Sequence, residues 1–127
     1  MNDGRRLRWG RSLRWAVAVI YAAAIFSLSA QSEITAPELV SNFDKVCHAV
    51  EYGGFTAVLA VALTAGGSPF VLTRAALLAT LYGVTDEYHQ SFIPGRDSSV
   101  WDVAADATGA ATVAALLALR RRRKRRG

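Results

Sequence analysis

Polar residues that are able to do chemistry interrupt the apolar sequence near residue 90. Residues 85–97 lie between two apolar runs and contain three acids, a histidine, a glutamine and an arginine. The next apolar run begins with two further carboxylates, Asp102 and Asp106, one helical turn apart. Carboxylates and imidazoles bind divalent cations or transfer protons, and arginine binds anions through paired hydrogen bonds. Because charge within an apolar segment is costly, its presence there indicates a functional site.

Four apolar runs must position these residues, at about 15–28, 46–65, 70–84 and 100–119. Their lengths lie at the short side of what crosses a bilayer. Their middles have almost no polar face, which disfavours the alternative of a soluble alanine-rich bundle. The first run also fits a cleaved signal peptide, but the later runs favour an uncleaved helix. The sequence predicts an all-α integral membrane bundle of four transmembrane helices within residues 15–119.

The charged residues predict how the bundle is oriented in the cytoplasmic membrane. Basic residues are concentrated in two end segments, 1–14 and 120–127, and Arg74 follows a short turn at 66–69. Because basic segments stay inside, we expect both termini and this turn on the cytoplasmic side. Nine of the ten acids, all except Asp3, then lie outside with only Lys45 and Arg96 as cations. This asymmetry argues against a dual-topology exporter, and the basic ends are expected to contact anionic lipids rather than nucleic acid.

In this topology, the start of the second helix, the end of the third and the start of the fourth lie at one membrane depth. Polar residues on each helix recur at spacings of three and four, so they share a face. Small residues on the fourth helix, including Gly109, allow a neighbouring helix to approach closely. The predicted polar cluster consists of Asp44, Lys45, His48, Glu51, Tyr52, Asp86, Glu87, His89, Gln90, Arg96, Asp102 and Asp106.

Short motifs follow one another in a specific order between residues 15 and 117. They are Leu28-Ser29-Ala30-Gln31-Ser32, Asp44-Lys45-Val46-Cys47-His48, Asp86-Glu87-Tyr88-His89-Gln90 and Pro94-Gly95-Arg96, followed by Asp102 and Gly109. This order resembles the VanZ-like family of small bacterial membrane proteins. The resemblance implies a multi-pass cell-envelope protein and resistance to glycopeptides of the teicoplanin type, with no settled reaction. The family pattern often has asparagine where this chain has Asp106, so a strict amide role does not carry over to that position.

The residues themselves leave three functions open. In the first, the protein is structural or accessory, and its charges only pair internally, with Lys45 and Arg96 neutralising Asp86, Glu87 or Asp102. In the second, the cleft binds an envelope lipid, a glycopeptide or a partner membrane protein without changing it. In that case the Arg96 guanidinium would contact an anionic group.

The third function is that of a metal-assisted enzyme acting on a lipid-linked envelope precursor. The surplus acids, with His48 or His89, suit manganese, zinc or magnesium in different combinations. The single cysteine, Cys47, excludes an internal disulfide and a multi-cysteine metal site. The pattern identifies no catalytic residue and no particular cofactor, and it leaves the oligomeric state open.

Overall fold

A computed structural model of the chain describes residues 10–31, 42–64 and 68–127. Within these ranges it contains four α-helices and no strand. They are α1 (Arg11–Ser29), α2 (Phe43–Thr64), α3 (Val71–Gln90) and α4 (Val100–Arg126). The all-α prediction is confirmed. Several residues used in the predicted topology lie outside the described ranges, namely the basic residues up to Arg8, Asp3, Glu33, Glu38 and the turn residues Gly66 and Gly67.

Each helix extends beyond the apolar run that predicted it. α1 begins at Arg11 rather than Trp15, and α3 continues past Val84 to Gln90. The prediction that the fourth helix ends at about Leu119 is wrong, because α4 continues through the basic block to Arg126. Arginine and lysine are good helix formers, and cations in a last turn interact favourably with the helix dipole.

Three of the helices in the described part of the chain, α1, α2 and α4, are long and apolar enough to cross a membrane. α3 does not meet the same standard of hydropathy, since it carries Arg74 in its first turns and Asp86 and Glu87 in its last. Both acids are buried, and α3 packs against α2 and α4. The polar groups of α3 are therefore covered by protein, whereas leucines such as Leu77 and Leu81 are exposed on its outer surface.

The contact between α2 and α4 is the most extensive in the bundle. Gly109 lies directly on the backbone of α2, where a Cβ atom would overlap the carbonyl oxygen of Ala49. Gly53 faces α4 in turn, and a Cβ atom there would lie 2.9 Å from Cγ2 of Val113. Small residues thus let two membrane helices approach closely, as packing in lipid requires. This close approach brings the first turns of α2 and α4 together.

α1 lies at the side of the bundle, mainly against α2. Two tyrosine hydroxyls attach it: Tyr21 donates to the carbonyl oxygen of Glu51 at 2.9 Å, and Tyr82 donates to that of Ala22 at 2.8 Å. The ring of Tyr21 stacks on Phe55 with centroids 5.5 Å apart. α1 therefore forms one wall over the faces of α2 and α3 that carry polar residues.

Candidate functional site

The polar residues of α2, α3 and α4 meet at the end of the bundle formed by the start of α2, the end of α3 and the start of α4. Most of the predicted members are withdrawn from the surface, although most of them belong to residue types that are usually exposed. The buried members are His48, Tyr52, Asp86, Glu87, Gln90, Asp102 and Asp106. Lys45, Glu51 and Arg96 are half-buried, and Asp44 is exposed.

One ion pair joins α2 to α4 at the rim of this cluster. The Lys45 ammonium donates a hydrogen bond to Oδ1 of Asp102, and Asp44 lies on its other side with 3.7 Å between Nζ and Oδ2. The Asp102 side chain is only 4% exposed, so Lys45 is the cation that makes its burial tolerable. Lys45 thus pairs with one of the three acids named from the sequence.

A second link between the same helices passes through His48. Its Nδ1 lies 2.9 Å from Oδ1 of Asp106, and its Nε2 lies 3.9 Å from Oδ1 of Asp44. Asp106 is 1% exposed and fits against α3 because residue 83 is glycine, where a Cβ atom would lie 2.6 Å from Oδ2 of Asp106. The imidazole therefore shares a hydrogen bond with the fully buried carboxylate, while the exposed carboxylate lies beyond hydrogen-bond distance on its other nitrogen.

The acids of α3 are only half satisfied. Oδ2 of Asp86 accepts hydrogen bonds from the Tyr52 hydroxyl at 3.3 Å and from Nε2 of Gln90 at 3.2 Å. Oε2 of Glu87 accepts one from the backbone N–H of Ser99 at 2.9 Å, just before α4 begins. The other oxygens of Asp86 and Glu87, and Oδ2 of Asp106, are buried without a hydrogen-bond partner among the described residues.

A cavity of about 510 Å³ opens beside this cluster, between α1, α2 and the end of α3. Its volume lies within the range of small-molecule binding sites, about 300–1,000 Å³. Leu28, Val46 and Val50 contribute apolar walls. The polar groups that line it are Tyr21, Ser29, Asp44, His48, Glu51, Asp86, Gln90 and Arg96. The cavity therefore offers both carboxylates and cations to a molecule that enters it.

Arg96 lines this cavity instead of neutralising the acids predicted for it. It forms no ion pair within residues 10–31, 42–64 and 68–127, and its Nε is buried without a hydrogen-bond partner. The preceding turn explains this direction, because Gly95 adopts a positive φ of 82° and the Arg96 N–H bonds to the carbonyl oxygen of Ile93. Arg96 therefore makes none of the ion pairs with Asp86, Glu87 or Asp102 that the structural function with internal pairing would require.

His89 also departs from the predicted arrangement. Its ring stacks on Phe26 of α1, with centroids 4.3 Å apart, and it is absent from the lining of the cavity. The sequence showed that His89 shares a helical face with other polar residues, but not that α1 covers this position. His89 therefore serves the contact between α1 and α3.

Tyr21 and Ser29 line the cavity with polar groups but were not assigned to the site from the sequence. Ser29 is 4% exposed and its Oγ has no hydrogen-bond partner among the described residues. Tyr21 places its hydroxyl against the third turn of α2. Ser29 lies inside the first motif of the resemblance, and that motif was the signal available for it. No spacing rule pointed to Tyr21, because its role depends on how α1 packs.

Comparison with known proteins is consistent with this architecture. No curated protein and no solved structure matches the chain. A family model described as VanZ/LLP1 matches residues 7–121, which include every residue of the polar cluster and all of α1, α2 and α3. Since the match covers nearly the whole sequence, this chain belongs to the VanZ-like family of membrane proteins.

Proposed function

We propose that this chain is a four-span protein of the bacterial cytoplasmic membrane whose outward-facing cavity binds a cell-envelope molecule without changing it. Through this binding it contributes to resistance against glycopeptides of the teicoplanin type. The observation that carries the proposal is the cavity of about 510 Å³, where Oδ1 of Asp86 and Nε of Arg96 are buried and have no hydrogen-bond partner in the described part of the chain. The ligand would supply a hydrogen-bond donor or cation to Asp86 and an anionic oxygen to Arg96, as a glycopeptide or an envelope lipid headgroup does.

The distribution of charge supports the orientation. Every acid in the described part of the chain lies near the cluster, with Lys45 and Arg96. The opposite end contains Arg11, Arg14, Arg74 and the basic end of α4, and no described acid. Because basic segments favour the cytoplasmic side, this distribution supports an outward-facing cluster. α3 is proposed as the fourth span, because its 20 residues extend about 30 Å and its acids are covered by its neighbours.

Internal pairing alone accounts poorly for the cluster. Lys45 and His48 satisfy Asp102 and part of Asp106, but one oxygen each of Asp86 and Glu87 and the Nε of Arg96 have no partner among the described residues. Each buried polar group left unsatisfied costs about 1–3 kcal/mol. A purely structural network would be expected to turn Arg96 toward these acids. Asp86 and Arg96 instead line the same cavity without pairing, which fits a site where a bound ligand contacts both side chains.

The proposal predicts that resistance depends on the cavity more than on the amount of protein. Asp86→Asn and Arg96→Gln each remove a charge that faces the cavity, and we expect each to weaken ligand binding at least about tenfold. In cells that depend on this protein for teicoplanin tolerance, the inhibitory concentration should fall to nearly that of cells lacking it. The matched control is Asp97→Asn, which removes an exposed acid next to Arg96 and outside the cavity lining.

Membrane abundance and folded yield must be measured in the same cells. Loss of tolerance at normal abundance supports the proposal, and a parallel loss of both favours the structural function. Unchanged tolerance in the Asp86→Asn/Arg96→Gln double variant contradicts a role of the cavity in resistance.

One observation favours the enzyme as second candidate. Asp44, His48 and Asp102 each offer a ligand atom, and these atoms lie within 4.8 Å of one another, as ligands of a divalent cation do. The ammonium of Lys45 contacts two of the three, so a metal would have to displace it. Two results together would favour the enzyme. The purified protein would contain stoichiometric metal that is lost in the His48→Ala variant, and it would turn over a lipid-linked precursor.

A further inference from the structure

A second, smaller cavity lies at the basic end of the bundle. It has a volume of about 130 Å³ and is enclosed by the start of α1, the end of α2 and the start of α3. Arg11 and Arg74 line it from two different helices, together with Ser68 and Trp15. Its base is apolar and includes Val71, which is 2% exposed. Two arginines, both exposed, therefore line a small hollow at the end of the bundle opposite the polar cluster.

The arginines of this cavity have no ion-pair partner in the described part of the chain. Neither Arg11 nor Arg74 forms an ion pair with any residue in the described ranges, and the described acids lie at the other end of the bundle. The first turn of α3 contains no acid, and Phe70 at its start supplies no side-chain cap. The positive end of the α3 dipole thus adds to the two arginines.

We propose that this cavity binds the phosphate group of an anionic membrane lipid. Guanidinium groups match phosphate oxygens through paired, charge-assisted hydrogen bonds, and Trp15 is a residue type favoured at the membrane interface. The volume is below the range of about 300–1,000 Å³ typical of small-molecule sites, so it suits one headgroup phosphate. The acyl chains would lie along apolar residues exposed nearby, such as Leu13 and Phe70.

The bound phosphate would also hold α1 to α3. These two helices make the least extensive of the helix contacts in the bundle, and each contributes one arginine to the cavity. A lipid that bridges the two arginines should therefore stabilise the fold. Arg11 and Arg74 are exposed, as are the cations at 120–126 in the basic end of α4, but the cations of α4 line neither this cavity nor the one of about 510 Å³. That segment is expected to attract anionic lipids only diffusely.

The test uses the full chain in a neutral detergent, with native mass spectrometry and thermal unfolding as readouts. In native mass spectrometry, one phosphatidylglycerol molecule should remain bound to the protein. Phosphatidylglycerol should also raise the unfolding temperature, and phosphatidylcholine should have a much smaller effect in both measurements. Arg11→Gln/Arg74→Gln should weaken phosphatidylglycerol binding at least about tenfold and remove the stabilisation. The control Arg122→Gln/Arg123→Gln loses the same charge and should stay within about twofold of wild type.

Equal weakening by both double variants would overturn the proposal, because it would show diffuse attraction only. Complete competition by inorganic phosphate or glycerol phosphate at equal concentration would overturn the lipid as ligand and indicate a soluble phosphate compound. If the glutamine double variant is not recovered folded, Arg11→Lys/Arg74→Lys replaces it, since lysine keeps the charge and loses the fork geometry. Weakening by at least threefold then supports the site, and unchanged binding contradicts it.

Discussion

Replacing Lys45 with methionine is expected to lower the free energy of unfolding by about 3–5 kcal/mol. Methionine keeps most of the apolar stem but removes the ammonium, so the buried Asp102 carboxylate loses the cation that bonds to Oδ1. Unfolding of purified protein by titration with sodium dodecyl sulfate in mixed micelles measures the change. Lys124→Met serves as the control, because Lys124 is exposed in the basic end of α4 and its removal should cost no more than about 0.5 kcal/mol.

The double variant Lys45→Met/Asp102→Leu separates the pair from its surroundings. Removing both charges eliminates the uncompensated carboxylate, and we expect most of the stability lost in Lys45→Met to return. A coupling energy of at least about 2 kcal/mol would show direct contact between the two side chains. Additive effects of Lys45→Met and Asp102→Leu would contradict the contact and would leave Asp102 available as a metal ligand.

Gly109→Ala is the second change expected to have a large effect. The added Cβ would overlap the backbone carbonyl of Ala49, which cannot move without shifting α2, so the two helices must separate. Overpacking usually costs about 1–3 kcal/mol, and a clash with backbone belongs at or above the top of that range. The same separation would pull apart Lys45 and Asp102, and His48 and Asp106, since both pairs cross this interface.

Two other glycines calibrate the effect of Gly109→Ala in the same unfolding assay. Gly53→Ala should cost less, because its Cβ would meet a methyl group of Val113, which is able to shift. Gly10→Ala should cost less than Gly109→Ala, since no described atom lies within 4 Å of its Cβ position. A Gly109→Ala protein as stable as Gly10→Ala would show that α2 and α4 do not approach as closely as described.

The helices and their common polar end were predictable from the sequence because both follow from periodicity. Spacings of three and four residues place Asp44, His48 and Glu51 on one face, and alternating helix direction brings them level with Asp86 and Asp102. The stripe of small residues that contains Gly109 likewise predicts a close contact with another helix, and in the structure that helix is α2. The family resemblance is confirmed by the match over residues 7–121.

The partners within the cluster were not predictable in the same way. Periodicity shows which face of a helix a residue lies on, but not which atom of another helix it contacts. Several acids were therefore possible partners of Lys45, and in the structure its partner is Asp102. The direction of Arg96 depends on the positive φ of Gly95, and the place of His89 depends on Phe26 of another helix. Hydropathy ends the fourth helix at about residue 119, because the arginines that follow are not apolar. These arginines are good helix formers, so α4 continues through them.

The native Cys47 can test directly whether the polar cavity faces outward and whether it receives an envelope ligand. Cys47 is the only cysteine of the chain, is exposed, and lines the cavity. The measurement is the rate at which a membrane-impermeant maleimide labels it in intact cells, or in spheroplasts if an outer membrane blocks the reagent. Gly127→Cys in a Cys47→Ser chain marks the cytoplasmic side.

We expect Cys47 to be labelled without permeabilising the cytoplasmic membrane, and Gly127→Cys to be labelled only after that membrane is permeabilised. Saturating teicoplanin or an envelope lipid precursor should slow the labelling of Cys47, and Asp86→Asn should abolish this protection. If Cys47 is labelled only after the cytoplasmic membrane is permeabilised, the cavity does not face outward. If every envelope ligand leaves the labelling rate of Cys47 unchanged, the cavity does not bind these ligands.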